Sequence, residues 1–216
     1  MSKQPRAEFV LSAAAAVDFP SDGLPEVAVV GRSNVGKSSL LNQLAGIKKL
    51  AAVSKTPGRT QLVNFFRVED RLYLVDLPGY GFARAPAQVR KRWESLVTDY
   101  LFDRAAIRLV VLIVDARRDP MASDREVVDL LNRSGISYVL IASKSDKLSR
   151  AAMAKQRARL EEAFAAPGGV PFITFSAVTG EGRKELWNVI EKHVREPEHR
   201  LNRQAQQTPR SPRRRK

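Results

Sequence analysis

One octapeptide constrains this chain more than any other feature: Gly31-Arg32-Ser33-Asn34-Val35-Gly36-Lys37-Ser38, of the form G-x-x-x-x-G-K-S. Val27-Ala28-Val29-Val30 precedes it, a β-branched burst suited to a buried parallel strand. Ser39 to Ala45 follows it with Leu40, Leu41 and Leu44 at helical spacing. Strand, glycine-rich turn and helix form the context in which this octapeptide cradles phosphate. The glycines let backbone N–H groups converge on phosphate oxygens, and the helix N-terminus adds partial positive charge. Lys37 is expected to reach the β- and γ-phosphates of a nucleoside triphosphate, and the Ser38 hydroxyl to ligate Mg²⁺.

A second element has fixed spacing from the first. Leu62 to Val68 and Leu72 to Val75 read as strands joined by Glu69-Asp70-Arg71, an antiparallel hairpin. The hairpin runs into Asp76-Leu77-Pro78-Gly79. A carboxylate at a strand end here is placed to hold Mg²⁺ through water, and the Gly79 N–H to meet a γ-phosphate. Alone, D-x-x-G is an ordinary turn; behind a phosphate loop it gains this second meaning.

The third element names a base. Tyr138 to Ala142 reads as a strand leading into Ser143-Lys144-Ser145-Asp146. A carboxylate at Asp146 accepts two bonds from guanine, one from N1–H and one from the 2-amino group. Adenine offers neither and leaves the carboxylate unpaired, a discrimination worth about 10⁴–10⁵ in sites built this way. The Lys144 stem is placed to pack on the base face. Phe175-Ser176-Ala177 ends the last strand, with Ser176-Ala177 offering backbone N–H to guanine O6. The competing reading of the Ser143–Asp146 stretch is a plain helix N-cap.

The remaining pattern is β-α-β-β-α-β-α-β-α-β-α, an α/β fold with a mostly parallel sheet, one antiparallel hairpin and helices on both faces. Ligands in such sheets sit beyond the carboxyl ends of the strands, where all three elements fall. A helix is expected from about Ala87 to Leu101, striped by Val89, Trp93, Leu96, Val97, Tyr100 and Leu101. Its Arg90, Lys91 and Arg92 have two readings, a solvated face with Arg90 pairing Glu94 or an RNA-facing patch. Leu109 to Asp115 is the clearest central strand, and Ser123 or Asp124 is expected to cap the helix after it. Three segments are expected: a lead-in over 1–24, a nucleotide-binding domain over 25–195, and an arginine-rich disordered tail over 196–216.

Charge speaks to partners. The net charge is +14, which suggests RNA, DNA or another polyanion. Half of it comes from Arg200, Arg203, Arg210, Arg213, Arg214, Arg215 and Lys216, with no acid among them. The rest belongs to the body. There is no cysteine, so disulfides and thiolate metal sites are excluded, in keeping with a cytoplasmic location. No apolar run approaches the roughly 20 residues of a membrane span. Lys3 and Arg6 before the apolar stretch Phe9 to Val17 have the flavour of a short signal peptide. A short edge strand or a helix packed on the domain is the expectation preferred here.

Taken together, these motifs resemble the P-loop GTPases with a Ras-like G domain, over about residues 25 to 195. Gly31 to Asn42, Lys55-Thr-Pro-Gly-Arg-Thr-Gln, Asn64-Phe-Phe, Asp76-Leu-Pro-Gly-Tyr-Gly and Lys144-Ser-Asp-Lys are similar in particular to the EngB family. That family, also called YihA or YsxC, lies in the TrmE/Era-like class. The resemblance implies a bacterial GTPase implicated in assembly of the large ribosomal subunit and associated with cell division and septation. It further implies that Thr60 joins Ser38 on Mg²⁺, with Gly58, Arg59, Thr60, Gln61 and Leu62 lying over the phosphates. Thr56 is a nearby competitor for that role. Asn34 matches an asparagine that helps hold an activating K⁺.

Two departures from the wider GTPase pattern matter. Ser143 replaces an asparagine whose amide braces the base and phosphate loops, which implies modest nucleotide affinity. Tyr80 replaces the water-orienting glutamine after Gly79. With no arginine finger evident in cis, hydrolysis is expected to be very slow without K⁺ or a ribosomal partner, on the order of 10⁻⁴ s⁻¹ for unaided enzymes. The expected partners are the large ribosomal subunit or its precursor and rRNA, the expected ligands GTP and GDP, and the expected state a monomer. The alternative is a nucleotide-dependent RNA-binding module in which hydrolysis is incidental. An ATPase or kinase is disfavoured by Asp146.

Overall fold

Two strands at the centre of the molecule show how the sequence builds it. Glu26–Gly31 (β2) and Ile107–Asp115 (β5) pair in parallel, and their side chains alternate between two separate cores. Ala28, Val30, Val110, Leu112 and Val114 enter one; Val27, Val29, Leu109, Val111 and Ile113 enter the other. A strand buried on both faces needs helices on both sides, and burying each of these valine, leucine and isoleucine side chains stabilises the fold by about 1.5–3 kcal/mol. The computed structural model describes residues 5–46, 62–80, 87–164 and 169–195, the first eight of 87–164 by their backbone alone.

Among these residues the chain forms seven strands and five α-helices. The other strands are Ala7–Ala13 (β1), Val63–Val68 (β3), Leu72–Asp76 (β4), Tyr138–Ser143 (β6) and Phe172–Phe175 (β7). The helices are Lys37–Ala45 (α1), Ala87–Asp103 (α2), Ala122–Ser134 (α3), Arg150–Ala163 (α4) and Arg183–Arg195 (α5). The sheet order is β1-β3-β4-β2-β5-β6-β7. β3 is antiparallel to both β1 and β4, and every other pairing is parallel. Leu40, Leu41 and Leu44 of α1 share one core with Leu186 and Ile190 of α5. Val97 and Leu101 of α2, Val127 and Leu131 of α3 and Leu160 of α4 fill the other.

The stretch expected as edge strand or helix is an edge strand. β1 lies along β3 with a register shift between Phe9 and Leu11. Phe9 packs edge-on against Phe66, with ring centroids 5.8 Å apart, and Ser12 Oγ donates to Asn64 Oδ1 at 2.6 Å. The hairpin between β3 and β4 turns through Glu69 (φ 48°) and Asp70 (φ 52°), both left-handed, which matches the twist of the flanking strands. α3 departs from expectation at its start. Its N-cap is Met121, and Asp124 sits in the first turn, where its carboxylate accepts from the Met121 N–H at 3.4 Å.

At the amino end of the sheet, away from the strand ends that face a ligand, Glu26 is fully buried. It accepts from Tyr100 Oη at 2.8 Å and Arg104 Nε at 2.9 Å. Arg104→Ala leaves that carboxylate with its cation gone. The expected loss is about 3 kcal/mol, read as a lower urea midpoint with an unchanged denaturant slope.

Candidate nucleotide-binding site

The phosphate loop connects β2 to α1 through two left-handed residues, Asn34 (φ 65°) and Gly36 (φ 109°). A side chain at Gly36 would be strained by that backbone whatever the space around it. Gly36 is also the N-cap of α1, and no side chain caps this helix. The first N–H groups of α1 therefore face outward for an anion.

β4 lies beside β2 with Asp76 opposite Val29, which carries the strand-end carboxylate to the loop. Lys37 Nζ forms an ion pair with Asp76, both side chains mostly buried. Ser38 is exposed on the first turn of α1. Gly79 packs so closely on the loop that an added Cβ would lie 3.2 Å from the Gly31 carbonyl oxygen and 3.3 Å from the Ser33 nitrogen. Leu77 and Val35 point into the cores, so their contribution to a site is through backbone. Among the described residues no group of three or more His, Cys, Asp or Glu side chains could form a metal cage. The oxygens at hand are the Ser38 hydroxyl and the Asp76 carboxylate, a hard and sparse donor set. It fits Mg²⁺, which keeps several waters and shares phosphate oxygens.

The base end is assembled from three strand ends. Ser143, at the end of β6, donates its hydroxyl to Val35 O (2.7 Å) or Val114 O (3.0 Å). The brace that loss of an asparagine would remove is thus made by a shorter side chain, because the buried hydroxyl reaches the phosphate loop directly. Lys144 (φ 62°) sends Nζ to Asn34 O at 2.8 Å and Asp115 Oδ2 at 2.9 Å, tying the same two loops again. Asp146 accepts from Ser176 Oγ at 2.7 Å and pairs with Lys147 at 3.2 Å. The Ser176 hydrogen bond, foremost, holds the Asp146 carboxyl below the ordinary carboxylate range. The N-cap reading of this stretch fails, since α4 is capped by Ser149, which accepts from Ala152 N.

Ser145 and Thr174 both donate to Glu181, at 2.7 and 3.2 Å. Ser176 N–H is donated to Glu181 O at 3.2 Å, so of the two amides expected near a base, that of Ser176 is already engaged within the chain. Ala177 is held in turn by Gln43 of α1, whose amide donates to Ala177 O at 2.6 Å. Phe175 is a core residue. Of the residues expected over the phosphates, Leu62 is half-buried just before β3. Gly58, Arg59, Thr60 and Gln61, the competitor Thr56, the side chains of Arg90, Lys91, Arg92 and Glu94, and the arginine-rich tail lie outside the described residues.

Sequence reasoning passed over Asp115, which accepts from both Arg117 and Lys144. Its position at the end of a central strand, like that of Asp76, was the available signal. Burial alone would raise this carboxyl; hydrogen bonds from the Arg117 and Lys144 side chains and the Arg117 N–H outweigh it and hold the carboxyl far below its ordinary value. A carboxyl depressed by folding contributes stability above its unfolded value, about 3.9, and loses it as the pH falls below that. Asp115→Asn is therefore expected to flatten the stability loss below about pH 4, followed by urea unfolding across a pH series. An unchanged acid limb would remove this cluster from the account.

Tyr80 is buried, with its Oη donating to Asp124 Oδ1 at 2.7 Å. Burial, reinforced by the neighbouring carboxylate, pushes the Tyr80 phenol up, and burial likewise raises Asp124. The side chain after Gly79 therefore points into the core and not toward the phosphate loop's ligand face. Beside it, a cavity of about 330 Å³ lies between the loop and α3, lined in part by Arg32, Asn34, Asp115, Arg118 and Met121.

This sheet order and the glycine-rich loop between β2 and α1 define the fold of a P-loop GTPase. Residues 26–144 match the family described as 50S ribosome-binding GTPase, and residues 103–196 match the Elongation factor Tu GTP binding domain. A "Probable GTP-binding protein EngB" of Syntrophus aciditrophicus is 49% identical over 185 residues, covering 86% of this chain and 93% of that protein. One of Solibacter usitatus is 45% identical over 185 residues, covering 86% and 94%. The chain belongs to the EngB family of GTP-binding proteins. A crystal structure of a protein of the same description matches with a TM-score of 0.67 at 28% identity, covering 80% of this chain and all of that one. Aquifex aeolicus Era shares the fold at 21% identity, with a TM-score of 0.61 over 81% of this chain and 58% of that one.

Proposed function

We propose that this protein is a slow GTP-hydrolysing switch acting in assembly of the large ribosomal subunit, monomeric and cytoplasmic, with consequences for cell division. The observation that carries the slow-switch reading is Tyr80. A residue buried against Asp124 does not orient water beside Gly79, so the position after Gly79 does not supply the water-positioning group that phosphoryl transfer uses. In this reading Lys37 leaves Asp76 for the β- and γ-phosphates, and Asp146 holds guanine. Ser38, Thr60 and, through water, Asp76 would hold Mg²⁺, which neutralises phosphate charge when bound. Asn34 would help hold K⁺. The Gly79 N–H meets the γ-phosphate and registers its loss on hydrolysis.

The ribosomal half of the reading is supported by the matched family's description, 50S ribosome-binding GTPase, and by the +14 net charge. Its test is co-sedimentation of the full chain with purified large ribosomal subunits in K⁺ buffer. Pelleting is expected with a non-hydrolysable GTP analogue and to be weak with GDP. Contacts to rRNA phosphates should also weaken it with salt, with a log–log slope of about −0.7 per contact on single strands. Equal pelleting with analogue, GDP and no nucleotide would refute a nucleotide-gated switch.

A further inference from the structure

We propose that Asp124 is a positioning residue for the nucleotide: through Tyr80 it fixes Gly79 against the phosphate loop, and so sets how strongly the site distinguishes GTP from GDP. The inference rests on reading Gly79 as the γ-phosphate contact. It starts from a closed ring of contacts joining three parts of the chain. Tyr80 N–H donates to Gly31 O at 3.3 Å, and Ser33 N–H donates to Tyr80 O at 3.2 Å, a bridge beside Arg32. The Tyr80 hydroxyl then reaches Asp124 in the first turn of α3. Asp124 accepts the Met121 N–H through its other oxygen, and the Arg32 guanidinium contacts Met121 Sδ, which returns the ring to the phosphate loop.

Tyr80 and Asp124 are 4% and 5% exposed. A buried phenol and a buried carboxylate each lose heavily without a partner, so each holds the other in place. Gly79 is one peptide bond from Tyr80, and its tight approach to Gly31 and Ser33 leaves it little independent freedom. Its amide position is therefore set by a side chain that itself touches no phosphate. GDP has no γ-phosphate for that amide to meet, so the anchor's effect falls on GTP alone.

The test measures affinities of the full chain for a non-hydrolysable GTP analogue and for GDP. The ratio of the two wild-type affinities is the reference for each variant. Tyr80→Phe keeps the packing volume and removes the hydroxyl; it should lower analogue affinity about tenfold, the size of one hydrogen bond to a charged group, with GDP affinity within about twofold. Asp124→Ala should do the same, and the double variant no more than either single, since both remove one interaction. Asp124→Asn keeps an oxygen acceptor for Tyr80 while giving up only the long Met121 N–H contact at 3.4 Å, and should restore most of the analogue affinity, an outcome that general loosening of the fold would not produce. Equal losses for analogue and GDP, no change in Tyr80→Phe, or additive effects in the double variant would each overturn the inference. Failure of the wild type to bind any guanine nucleotide sinks the reading of the site itself.

Discussion

Asp146→Asn should weaken GTP and GDP binding together by about a hundredfold or more, and give the protein an affinity for xanthosine nucleotides that it otherwise lacks. In the proposed site the Asp146 carboxylate would present two acceptors to guanine, whose N1–H and 2-amino group are both donors. An amide keeps one acceptor and puts a donor opposite the 2-amino group. Losing one charge-assisted bond and opposing two donors amounts to about 3 kcal/mol on the scale of 1.5–3 kcal/mol per charged hydrogen bond. Xanthine carries an oxygen at position 2 and complements the amide. The Ser176 hydroxyl, donating to Asp146 Oδ1, can still find the amide oxygen, so the loop keeps its shape and the change is confined to recognition. Titration with GTP, GDP and XTP measures it. Unaltered GTP affinity would mean that Asp146 does not read the base.

Lys37→Ala should lower single-turnover hydrolysis by roughly 10²–10³-fold, the cost of removing one preorganised donor from a site of developing charge. The same change leaves Asp76, whose side chain is 12% exposed, without its cation. Loss of a partner from a mostly buried pair costs several kcal/mol, so the melting temperature belongs beside the rate. The variant also separates two functional readings. If it still pellets with large subunits in the presence of nucleotide, hydrolysis is incidental and the chain works as a binding module. Hydrolysis that survives the substitution would remove Lys37 from the chemistry.

The parts of this molecule legible in the sequence were those written in local pattern. Leu109 to Val114 is apolar at every position and could hardly be anything but a strand covered on both faces, which β5 is. The loop between β2 and α1 was legible from its glycines and its flanking strand and helix, and Asp76, the last residue of β4, from its spacing behind that loop. What pattern did not reach were the partners of polar side chains. Tyr80 finds Asp124 at a separation of 44 residues, and Ser143 finds Val35 at a separation of 108. Such pairs depend on which strand ends the topology brings together, and nothing in the flanking sequence reports it. The N-cap of α3 shows the limit at short range. Asp124 has cap chemistry, yet it bonds back from inside the first turn while Met121 takes the cap position. Serine at 143 shows a limit of resemblance. A missing amide predicted a missing brace, whereas the backbone carbonyl lay within reach of a hydroxyl.

The order of strands in the sheet has a consequence for synthesis. Residues up to Asp76 contain β1, β2, β3 and β4, and these occupy one contiguous block, β1-β3-β4-β2. β5, β6 and β7 then attach outward from β2 in the order in which they are made. A nascent chain can thus build this sheet vectorially, never reopening a pair already formed. Between Asp76 and Asp115, the ends of β4 and β5, elongation at about 5–20 residues per second takes roughly 2–8 s. Throughout that interval β2 waits at an open edge that β5 will later cover, and it is the strand that bears Val27, Val29 and Val30 and leads into the phosphate loop. Early guanine nucleotide capture by that loop, or shielding by a chaperone, would protect the stretch of the molecule most exposed to misassembly while its apolar partner is still being translated.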